Sequence, residues 1–565
     1  MYILGIWDGH DAGACIVEDG IIKVAINEER LTRRKLEVGF PANSISMCLN
    51  YLKLKPSDIN IIATTTTDFS KTLTRIFPSL KERYYLFRRR KIERPMFAQF
   101  QHFLKYKLTQ YGNAYGLYET LSSHVIKKKL KKSGFRDFKL YFVDHHLAHA
   151  ASACYTSGMK KALCITLDGV GDKLSGTVNV FEGNKIKRIS TISAKDSLGL
   201  FFEQVTNLLG FRELEDEGKV MSMADYSYPI EDEKNKFMDF FSVDGINIKA
   251  KYSTSKSYRL IDKVIWNHPR EQVAYMAQKT LEKYILKLFQ NVIEETGIRD
   301  VCWSGGIASN IKLNMVIRLN SGLKNWFVFP HMGDGGLAVG SALLINSQLN
   351  QPKTYKLNDV YLGLDYSEYE IEQELKNYSD VKYEKRSDIT EFIADLITNG
   401  NYAFWFQGGM EYGPRALGNR SILAPVDSED VKDLLNIQVK KREWFQPFCP
   451  SMLEEEAKKL LEDYDGVPDK FMTMGYMARK EMKHKICSVI HVDNSVRPQM
   501  VGEENKKYRK LIKYVKKNVD LGIVLNTSFN IHGEPIVCSP KDAINIMIKT
   551  KTRYMALGNF LVEMK

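Results

Sequence analysis

The stretch YILGIWDGHDAGACIVEDGIIKVAINE, residues 2–28, decides the fold of the N-terminal half. Its apolar runs are separated by GHDAG and by Asp19-Gly20, a pattern typical of short strands joined by tight turns. Residues 162–190, ALCITLDGVGDKLSGTVNVFEGNKIKRIS, repeat that plan, because an apolar strand again ends in Asp-Gly before a turn of small residues and a second strand. We interpret the two stretches as copies of one hairpin unit.

Two hairpins with Asp-Gly in the first turn are typical of the two-lobed ATPases of the actin, Hsp70 and sugar-kinase (ASKHA) type, whose turn N–H groups face nucleotide phosphates. Residues 300–310, DVCWSGGIASN, add a strand that runs into a Gly-Gly turn before a helix, which suits a nucleotide's sugar and phosphates. Chance similarity of hairpins and ordinary turn chemistry are the alternatives. We predict an α/β chain with a duplicated ASKHA-type N-terminal region.

Length and composition are those of a multidomain globular protein, with 565 residues, 44% hydrophobic and 26% charged. Residues 346–358, NSQLNQPKTYKLN, are polar and lack a hydrophobic period. We therefore predict a linker there, between a first domain at 1–345 and a second α/β domain at 359–565. The eight cysteines form no CxxC pair and the N-terminus has no basic leader, so we expect reduced thiols and a cytoplasmic protein.

The net charge of +13 is concentrated in residues 71–136, which carry 17 Lys and Arg against three acidic residues, so that the rest of the chain sums to −1. No stable nucleic-acid complex is expected, because nucleic-acid binders usually spread positive charge over a whole face. We predict a basic, helical insertion. Its helices are either solvated and cover an active-site entrance, or form a surface, including residues 88–91, for an anionic acceptor.

Three of the eleven histidines lie within DHHLAHA, residues 144–150. His145 and His149 are spaced i, i+4, so a helix would place both imidazoles on one face. Asp168 in the second Asp-Gly turn and Asp334 in HMGDGG are candidates for two oxygen ligands. Such a set suits Fe(II), Mn(II) or Zn(II) better than Ca or Mg. Helix-end histidines that only form hydrogen bonds are the alternative.

His10 and Asp11 lie in the first hairpin turn, where a neutral histidine could take a proton from an incoming hydroxyl. A hydrogen-bonded turn histidine is the alternative. The C-terminal part brings fixed cations close to small polar residues in the sequence: Arg415, Arg420, Lys440, Lys441 and Arg442, with Asn526, Thr527, Ser528 and Asn530 after an apolar strand. Arginines among glycines and prolines predict a phosphate-ester pocket, although no Walker A motif accompanies them.

Taken together, the motifs resemble the O-carbamoyltransferases of the NodU/CmcH type over almost the whole chain and in the expected order. The matching stretches are GHDAGACIVEDG (9–20), NEERLTRRK (27–35), DHHLAHAASA (144–153), LDGVGD (167–172), EGKVM (217–221), SGGIASN (304–310), FPHMGDGGLAVGSAL (329–343), EYGPRALGNRSILA (411–424), KKREWFQPFCPS (440–451) and NTSFNIHGEPIV (526–537). Chance agreement of ordered motifs of this length is not a serious alternative.

The resemblance implies an ASKHA fold joined to a C-terminal YrdC-like domain. It also implies an enzyme that converts carbamoyl phosphate and ATP, with Mg, into carbamoyl adenylate and pyrophosphate and then passes the carbamoyl group to a hydroxyl acceptor. By the same resemblance, His145, His149, Asp168 and Asp334 are ligands of Fe(II), or of Mn or Zn, and His10 with Asp11 belongs to the transfer site. The implied adenylate contacts are Lys219, Gly305, Gly306 and Asn310, and the implied carbamoyl-phosphate and ATP pocket contains Arg415, Arg420, Lys441, Arg442, Asn526 and Ser528.

Three positions depart from the family pattern: residues 222–225 (SMAD) stand where Gly-Leu-Ala-Pro is usual, Gln446 replaces Arg, and Cys449 replaces Ala. The resemblance suggests a homodimer and leaves the acceptor open between sugars, sugar-linked anions and antibiotic scaffolds. The alternatives are a tRNA threonylcarbamoyl transferase-like enzyme, an ASKHA kinase and a non-catalytic protein with a degenerate site. Pyrophosphate release that requires carbamoyl phosphate separates them.

Overall fold

The computed structural model of the protein describes residues 1–92, 117–350 and 354–565. These residues form two compact units: unit 1 comprises residues 1–28 and 36–357, and unit 2 comprises residues 29–35 and 358–565. Residues 93–116 of the predicted basic insertion and 351–353 of the predicted linker lie outside the described residues. Residues 29–35, which the sequence prediction assigned to the first domain, group with unit 2.

Unit 1 contains two five-stranded sheets of the same topology. Its strands are β1 (Tyr2–Trp7), β2 (Gly13–Glu18), β3 (Ile21–Asn27), β4 (Ile61–Thr65), β5 (Lys139–Val143), β6 (Lys161–Gly171), β7 (Leu174–Glu182), β8 (Lys185–Ser193), β9 (Phe241–Asp244), β10 (Asn247–Ala250), β11 (Asp300–Ser304) and β12 (Asn325–Val328). The sheet orders are β3-β2-β1-β4-β5 and β8-β7-β6-β11-β12. In both sheets the three hairpin strands are antiparallel and the last two strands join in parallel. The duplicated ASKHA fold predicted from the two hairpins is therefore confirmed.

Two buried helices of unit 1, His145–Thr156 and Leu337–Leu349, pack closely against each other. The helices from residue 28 to the end of unit 1 are α1 (Glu28–Thr32), α2 (Ala42–Tyr51), α3 (Phe69–Ile76), α4 (Pro78–Arg88), α5 (Leu117–Lys132), α6 (His145–Thr156), α7 (Leu198–Leu208), α8 (Glu217–Met223), α9 (Thr254–Asn267), α10 (Arg270–Thr296), α11 (Ile311–Asn320) and α12 (Leu337–Leu349). A Cβ on Gly340 of α12 would overlap the Ala148 carbonyl of α6, and a Cβ on Gly5 of β1 would overlap the Ala338 carbonyl. Glycine permits these close approaches, which hold the first turn of α6 and the turn before α12 in fixed positions.

Helix α12 extends into the segment that the sequence analysis predicted as a linker. It runs to Leu349, so the linker prediction is wrong for residues 346–349. The physical reason is tertiary packing, because Asn346 is buried and the Tyr155 hydroxyl donates to Ser347 Oγ at 2.8 Å. These polar residues are satisfied inside the unit, and composition alone did not reveal that.

Unit 2 is built on an eight-stranded mixed sheet. Its strands are β13 (Val381–Lys385), β14 (Ala403–Phe406), β15 (Arg420–Ala424), β16 (Cys449–Leu453), β17 (Tyr476–Met477), β18 (Ser495–Val496), β19 (Gln499–Val501), β20 (Ile523–Ser528), β21 (Tyr554–Leu557) and β22 (Phe560–Met564), and its helices are α13 (Glu368–Leu375), α14 (Ile389–Thr398), α15 (Glu429–Leu434), α16 (Ala457–Leu460), α17 (Lys506–Val519) and α18 (Pro540–Thr550). The sheet order is β13-β22-β21-β14-β15-β20-β16-β19. Helix α17 buries Tyr508, Leu511, Ile512 and Val515, the i, i+3, i+4, i+7 pattern of an amphipathic helix. An α/β second domain is confirmed, and its likeness to YrdC stays a prediction.

No helix among the described residues combines the length and the apolar character needed to cross a membrane.

Candidate functional site

Four side chains that are distant in the sequence, His145, His149, Asp168 and Asp334, meet in unit 1. One potential ligand atom from each lies within 4.8 Å of all the others. The Nε2 atoms of His145 and His149 lie 3.2 and 3.3 Å from Asp168 Oδ2, and each lies 3.6 Å from Asp334 Oδ1. Two imidazole nitrogens and two carboxylate oxygens in this arrangement fit a divalent transition-metal ion.

Local sequence explains why these ligand atoms converge. The Asp144 carboxylate accepts a hydrogen bond from the Leu147 N–H at 2.8 Å, so α6 begins at His145 and carries both histidines on one face. The Gly169 N–H donates to Asp168 Oδ1 at 2.7 Å, which leaves Oδ2 facing the two imidazoles. A side chain on Gly171, at the end of β6, would overlap the ring of His145, so this position requires a residue without Cβ.

The carboxylates control the protonation of the histidines. Burial opposes protonation of His145, but Asp334 and Asp168 outweigh burial and raise its pKa to about 9. Burial also opposes ionisation of Asp168, yet the hydrogen bonds from His145 and His149 hold its pKa well below the usual range. His146 packs elsewhere, with Nδ1 3.0 Å from Thr166 Oγ1, and burial lowers its pKa to about 3. The cluster therefore holds a proton that a metal ion would displace.

His10 joins the His₂Asp₂ cluster through Asp334. Its Nε2 lies 3.2 Å from Asp334 Oδ2, the oxygen that does not face the two histidines of α6. Burial lowers the pKa of His10 even though Asp334 opposes that shift, so the imidazole is neutral near pH 7. Asp11, predicted to act with His10, has its Oδ2 3.8 Å from Nε2 of His331. The structure thus brings His10 to the cluster and directs Asp11 to a different histidine.

The carboxylate of Asp8 lies in the corresponding turn of the first sheet, and its partners were not predicted from the sequence. Arg75 donates to both carboxylate oxygens at 2.9 and 3.1 Å, and Lys71 Nζ lies 2.9 Å from Oδ1. Lys81 donates to the Asp8 carbonyl. Burial opposes ionisation of Asp8, but Arg75 and Lys71 hold its pKa well below the usual range. The i, i+4 spacing of Lys71 and Arg75 was the available sequence signal.

Two arginines of the basic insertion are more buried than either sequence-based hypothesis allowed, whereas Arg83, Arg90 and Lys91 are exposed. Arg88 and Arg89 are each only 4% exposed. Arg88 pairs with Glu203 and with Glu213, whose Oε2 lies 2.5 Å from Arg88 Nε, and Arg89 pairs with Glu215. The predictions of a solvated face or an exposed anion-binding surface are therefore wrong at these two arginines, because acidic side chains of unit 1 neutralise them.

The four predicted adenylate contacts are divided between the cluster and the scaffold. Gly305, with φ of 102°, and Gly306 form the turn beside Asp168, where a Cβ on Gly306 would lie 2.8 Å from Oδ1. Lys219 Nζ lies 3.0 Å from Asp216 Oδ1. Asn310 caps α11 by accepting a hydrogen bond from the Leu313 N–H at 3.0 Å. The two glycines thus adjoin the His₂Asp₂ cluster, whereas Lys219 pairs with Asp216 and Asn310 caps α11, and adenylate binding by all four residues stays a prediction.

Residues 222–225 differ from the usual family sequence, and the structure explains the last of them. Asp225, where the family usually has proline, forms an ion pair with Lys312 on α11, with 2.7 Å between Oδ2 and Nζ. This pair connects the loop after α8 to the helix that follows the Gly-Gly turn. Asp225 therefore has a specific ion-pair partner, Lys312, in unit 1.

In unit 2, three arginines lie near Cys449, and one of them, Arg497, was missed by the sequence analysis. Its Nε and Nη2 lie 3.1 and 2.9 Å from Cys449 Sγ. Burial, and then the charge of Arg497, lower the pKa of Arg415 to about 9, and burial lowers that of Arg442 to about 10. Arg442 donates to neutral oxygens, Asn436 Oδ1 at 2.6 Å and Pro447 O at 3.3 Å. Cations without carboxylate partners among the described residues form a candidate anion site.

Other residues of the predicted cationic pocket have internal roles. Arg420 is fully buried, donates to the carbonyls of Gln407, Gly408, Asn419 and Leu364, and stacks over the Phe406 ring. The Asn526 amide donates to Ala416 O and Ser451 Oγ. Lys441 is exposed. The buried cation of that stretch is Lys440, whose Nζ donates to Ser528 O at 2.6 Å and to Asn530 Oδ1 at 2.6 Å. Burial holds the pKa of Lys440 well below its usual range.

Fold and site together define a two-lobed protein of the ASKHA type with a His₂Asp₂ cluster at its second Asp-Gly turn, continued by an α/β unit with a cationic pocket. The Carbamoyltransferase N-terminus family matches residues 2–343, and the Carbamoyltransferase C-terminus family matches residues 394–564. The chain belongs to the carbamoyltransferase family and is a transferase enzyme.

Alignments with similar proteins cover nearly the whole chain. An uncharacterized protein of Methanocaldococcus jannaschii is 34% identical, with 99% of each chain covered. Nodulation protein NolNO of Sinorhizobium fredii is 32% identical over 98% of this chain and 79% of its own. Among solved structures, component A of (R)-2-hydroxyglutaryl-CoA dehydratase from Acidaminococcus fermentans is 14% identical, with a TM-score of 0.36 over 62% of this chain and 98% of its own. The duplicated fold rests on the strand order and not on that last similarity.

Proposed function

We propose that the protein is an ATP-dependent O-carbamoyltransferase that takes carbamoyl phosphate and transfers the carbamoyl group to a hydroxyl of a sugar or another small acceptor. Membership of the carbamoyltransferase family supports transfer of the carbamoyl group. The observation that carries the rest is that one chain contains both a His₂Asp₂ cluster beside His10 and a separate pocket of arginines without carboxylate partners among the described residues. These are the parts that activation and transfer require.

Unit 2 would perform the activation. Water releases inorganic phosphate from carbamoyl phosphate, and an oxygen of the resulting carbamate attacks the α-phosphorus of ATP, giving carbamoyl adenylate and pyrophosphate. Both substrates are polyanions, and the negative charge moves between phosphates during the reaction. Arg415, Arg442 and Arg497 are buried or half-buried cations able to bind those oxygens. Lys440 holds Ser528 and Asn530 in place beside them.

Unit 1 would perform the transfer. His145, His149, Asp168 and Asp334 would hold Fe(II), or Mn(II) or Zn(II), because borderline imidazole nitrogens and carboxylate oxygens suit these ions. When bound, such an ion supplies Lewis-acid polarisation of the activated carbamoyl group. The Gly305-Gly306 turn leaves space next to Asp168, where side chains would intrude.

His10 would accept the proton of the acceptor hydroxyl. Its Nε2 lies 3.2 Å from Asp334 Oδ2, and a carboxylate oxygen requires the proton to be on Nε2. The remaining nitrogen, Nδ1, then carries the lone pair. Trp7 Nε1 donates to the His10 carbonyl at 2.7 Å and fixes the backbone of the turn. The lowered pKa of His10 keeps that lone pair available near neutral pH.

The test is to measure phosphate, pyrophosphate and labelled product in one reaction. The full-length enzyme with ATP should release pyrophosphate only when carbamoyl phosphate is present, and label from carbamoyl phosphate should appear in hydroxyl compounds of a cell extract. His10→Asn should keep pyrophosphate release and lose label transfer, whereas His124→Asn, at an exposed histidine of α5, should match the wild type. Pyrophosphate release that does not depend on carbamoyl phosphate would refute the proposal, and ADP formation would favour a kinase.

A further inference from the structure

Lys71, Arg75 and Lys81 bring three cations to a single carboxylate, Asp8. Arg75 and Lys71 occupy its carboxylate oxygens, whereas the partner of Lys81 among the described residues is the neutral Asp8 carbonyl. The exposed fractions are 7% for Lys71, 3% for Arg75 and 5% for Lys81. Burying charge without a counter-ion is strongly unfavourable. The cluster therefore lacks an anion or keeps an amine uncharged.

Lys71 and Lys81 carry the positive charge that the Asp8 carboxylate does not balance. Burial, and then the neighbouring Lys71, depress the pKa of Lys81 well below its usual range, and burial lowers the pKa of Lys71 despite Asp8. Lys71 Nζ also lies 3.7 Å from the centroid of the Trp7 ring, a contact that favours the charged amine. An anionic oxygen beside both amines would restore their charge and remove the cost of burial.

Helix α4 links this cluster to the transfer residues. Lys81 and Tyr85 are spaced i, i+4 and share one face of α4. Lys81 contacts Asp8, while the Tyr85 ring packs edge-on against the His10 ring with centroids 5.3 Å apart. One turn of helix, about 6 Å along the axis, separates the two contacts. A single small molecule is long enough to reach both.

We propose that Lys71 and Lys81 form a subsite for an anionic group, a carboxylate or a phosphate, that the hydroxyl acceptor carries about one helical turn, or 6 Å, from the hydroxyl facing His10. Sugar acids and sugar phosphates have this form. A cationic acceptor would be repelled, and a neutral polyol would leave the lysine charges unbalanced. The assignment to the acceptor rests on the proposed function, whereas the anion site itself does not.

The first experiment asks whether the anion site exists. Full-length protein is titrated calorimetrically with sulfate at constant ionic strength, in an Arg415→Met background that weakens the arginine pocket of unit 2. We expect saturable binding that Lys81→Met weakens at least tenfold, about 1.4 kcal/mol. Arg83→Met, the same charge change at an exposed position of α4, is the matched control and should stay within twofold. Lys71→Met carries the same test if Lys81→Met does not fold. Sulfate binding that neither lysine affects would overturn the site.

The second experiment asks which molecule supplies the anion. 5-Hydroxypentanoate, whose extended chain separates hydroxyl and carboxylate by about one helical turn, should displace sulfate, and 1,5-pentanediol, its neutral counterpart, should not. If AMP displaces sulfate and 5-hydroxypentanoate does not, the lysines bind a nucleotide phosphate and the acceptor assignment is overturned. If neither compound displaces sulfate, the acceptor assignment is overturned as well.

The outcomes distinguish this inference from the proposed function. If sulfate and 5-hydroxypentanoate bind through the lysines while carbamoyl phosphate fails to stimulate pyrophosphate release, the proposed function fails and the anion site stands. If pyrophosphate release requires carbamoyl phosphate but no binding depends on Lys71 or Lys81, the proposed function stands and the subsite fails.

Discussion

The two Asp-Gly turns of unit 1 come from one duplicated hairpin, yet their carboxylates face opposite kinds of partner. Trp7, before Asp8, pairs with Gly13, and Leu167, before Asp168, pairs with Gly176, so the two turns follow equivalent strand positions. Asp8 is neutralised by Arg75 and Lys71, and Asp168 by His145 and His149. Both carboxyl pKa values lie well below the usual range.

The difference lies in the partners and not in the carboxylates. Arginine and lysine carry protons that a metal ion does not displace near neutral pH, whereas imidazole gives up its proton to become a ligand. Asp334 adds a second carboxylate on the histidine side. Duplication thus supplied two acidic turns, and the helices around them made one a buried ion pair and the other a candidate metal site.

The largest expected effect tests the metal side of this comparison. Asp168→Asn keeps the side-chain volume but removes the charge that both histidines face, so Fe(II) affinity should fall at least about 1,000-fold, more than the roughly 10–100-fold typical of outer-shell changes. Elemental analysis after anaerobic reconstitution measures it. Glu182→Gln, at a carboxylate whose side chain is 62% exposed in the same sheet, is the matched control. Wild-type metal content in Asp168→Asn would refute the proposed metal site.

The second-largest expected effect tests the ion pairs of Asp8. Asp8→Asn leaves Lys71 and Arg75 buried without their carboxylate, which should lower the free energy of unfolding by about 3–5 kcal/mol. Urea unfolding measures the change, with Asp19→Asn as a control at a side chain that is 68% exposed. The folded fraction of Asp8→Asn should still bind metal. Wild-type stability in this variant would show that the cluster is not a buried ion pair.

The histidine side should also respond to pH in the metal-free protein. The pKa of His145 is raised from 6.5 to about 9 on folding, so its protonation stabilises the protein fully below pH 6.5, and that stabilisation is lost as pH rises through about 9. The free energy of unfolding should therefore fall by up to about 3 kcal/mol over this range. Urea unfolding of chelator-treated protein measures it. Asp168→Asn should reduce the slope, and an unchanged slope would contradict the account.

The smallest expected effect extends the comparison to unit 2. Arg415→Met should raise the KM for carbamoyl phosphate about 10-fold, the size expected for one lost charge-assisted contact, without changing stability. Arg420→Met should instead destabilise unit 2, because its guanidinium is committed to backbone carbonyls. Initial rates of pyrophosphate release and thermal unfolding separate the two. Equal effects on KM would show that Arg420 also binds substrate.

The sequence predicted the duplicated sheets well because strand alternation and Asp-Gly turns are local patterns. It also predicted that His145, His149, Asp168 and Asp334 meet, because the motifs resemble a known family and α6 preserves the i, i+4 spacing. It could not separate Arg415 from Arg420, since both follow turn residues and only burial shows which one faces carbonyls. The partners of Asp8 and Arg88 also depend on long-range packing: the i, i+4 spacing of Lys71 and Arg75 places both on one helix face but does not show which carboxylate they meet.

The most direct test of the central claim measures pyrophosphate release and label transfer in the same samples of wild type and Asp168→Asn. We propose activation in the arginine pocket of unit 2 and transfer at the cluster of unit 1. Asp168→Asn should therefore release pyrophosphate within about threefold of the wild-type rate, well below the 1.4 kcal/mol that a tenfold change represents, while label transfer to hydroxyl acceptors is lost. Loss of both activities, or retention of both, would contradict this division of the reaction.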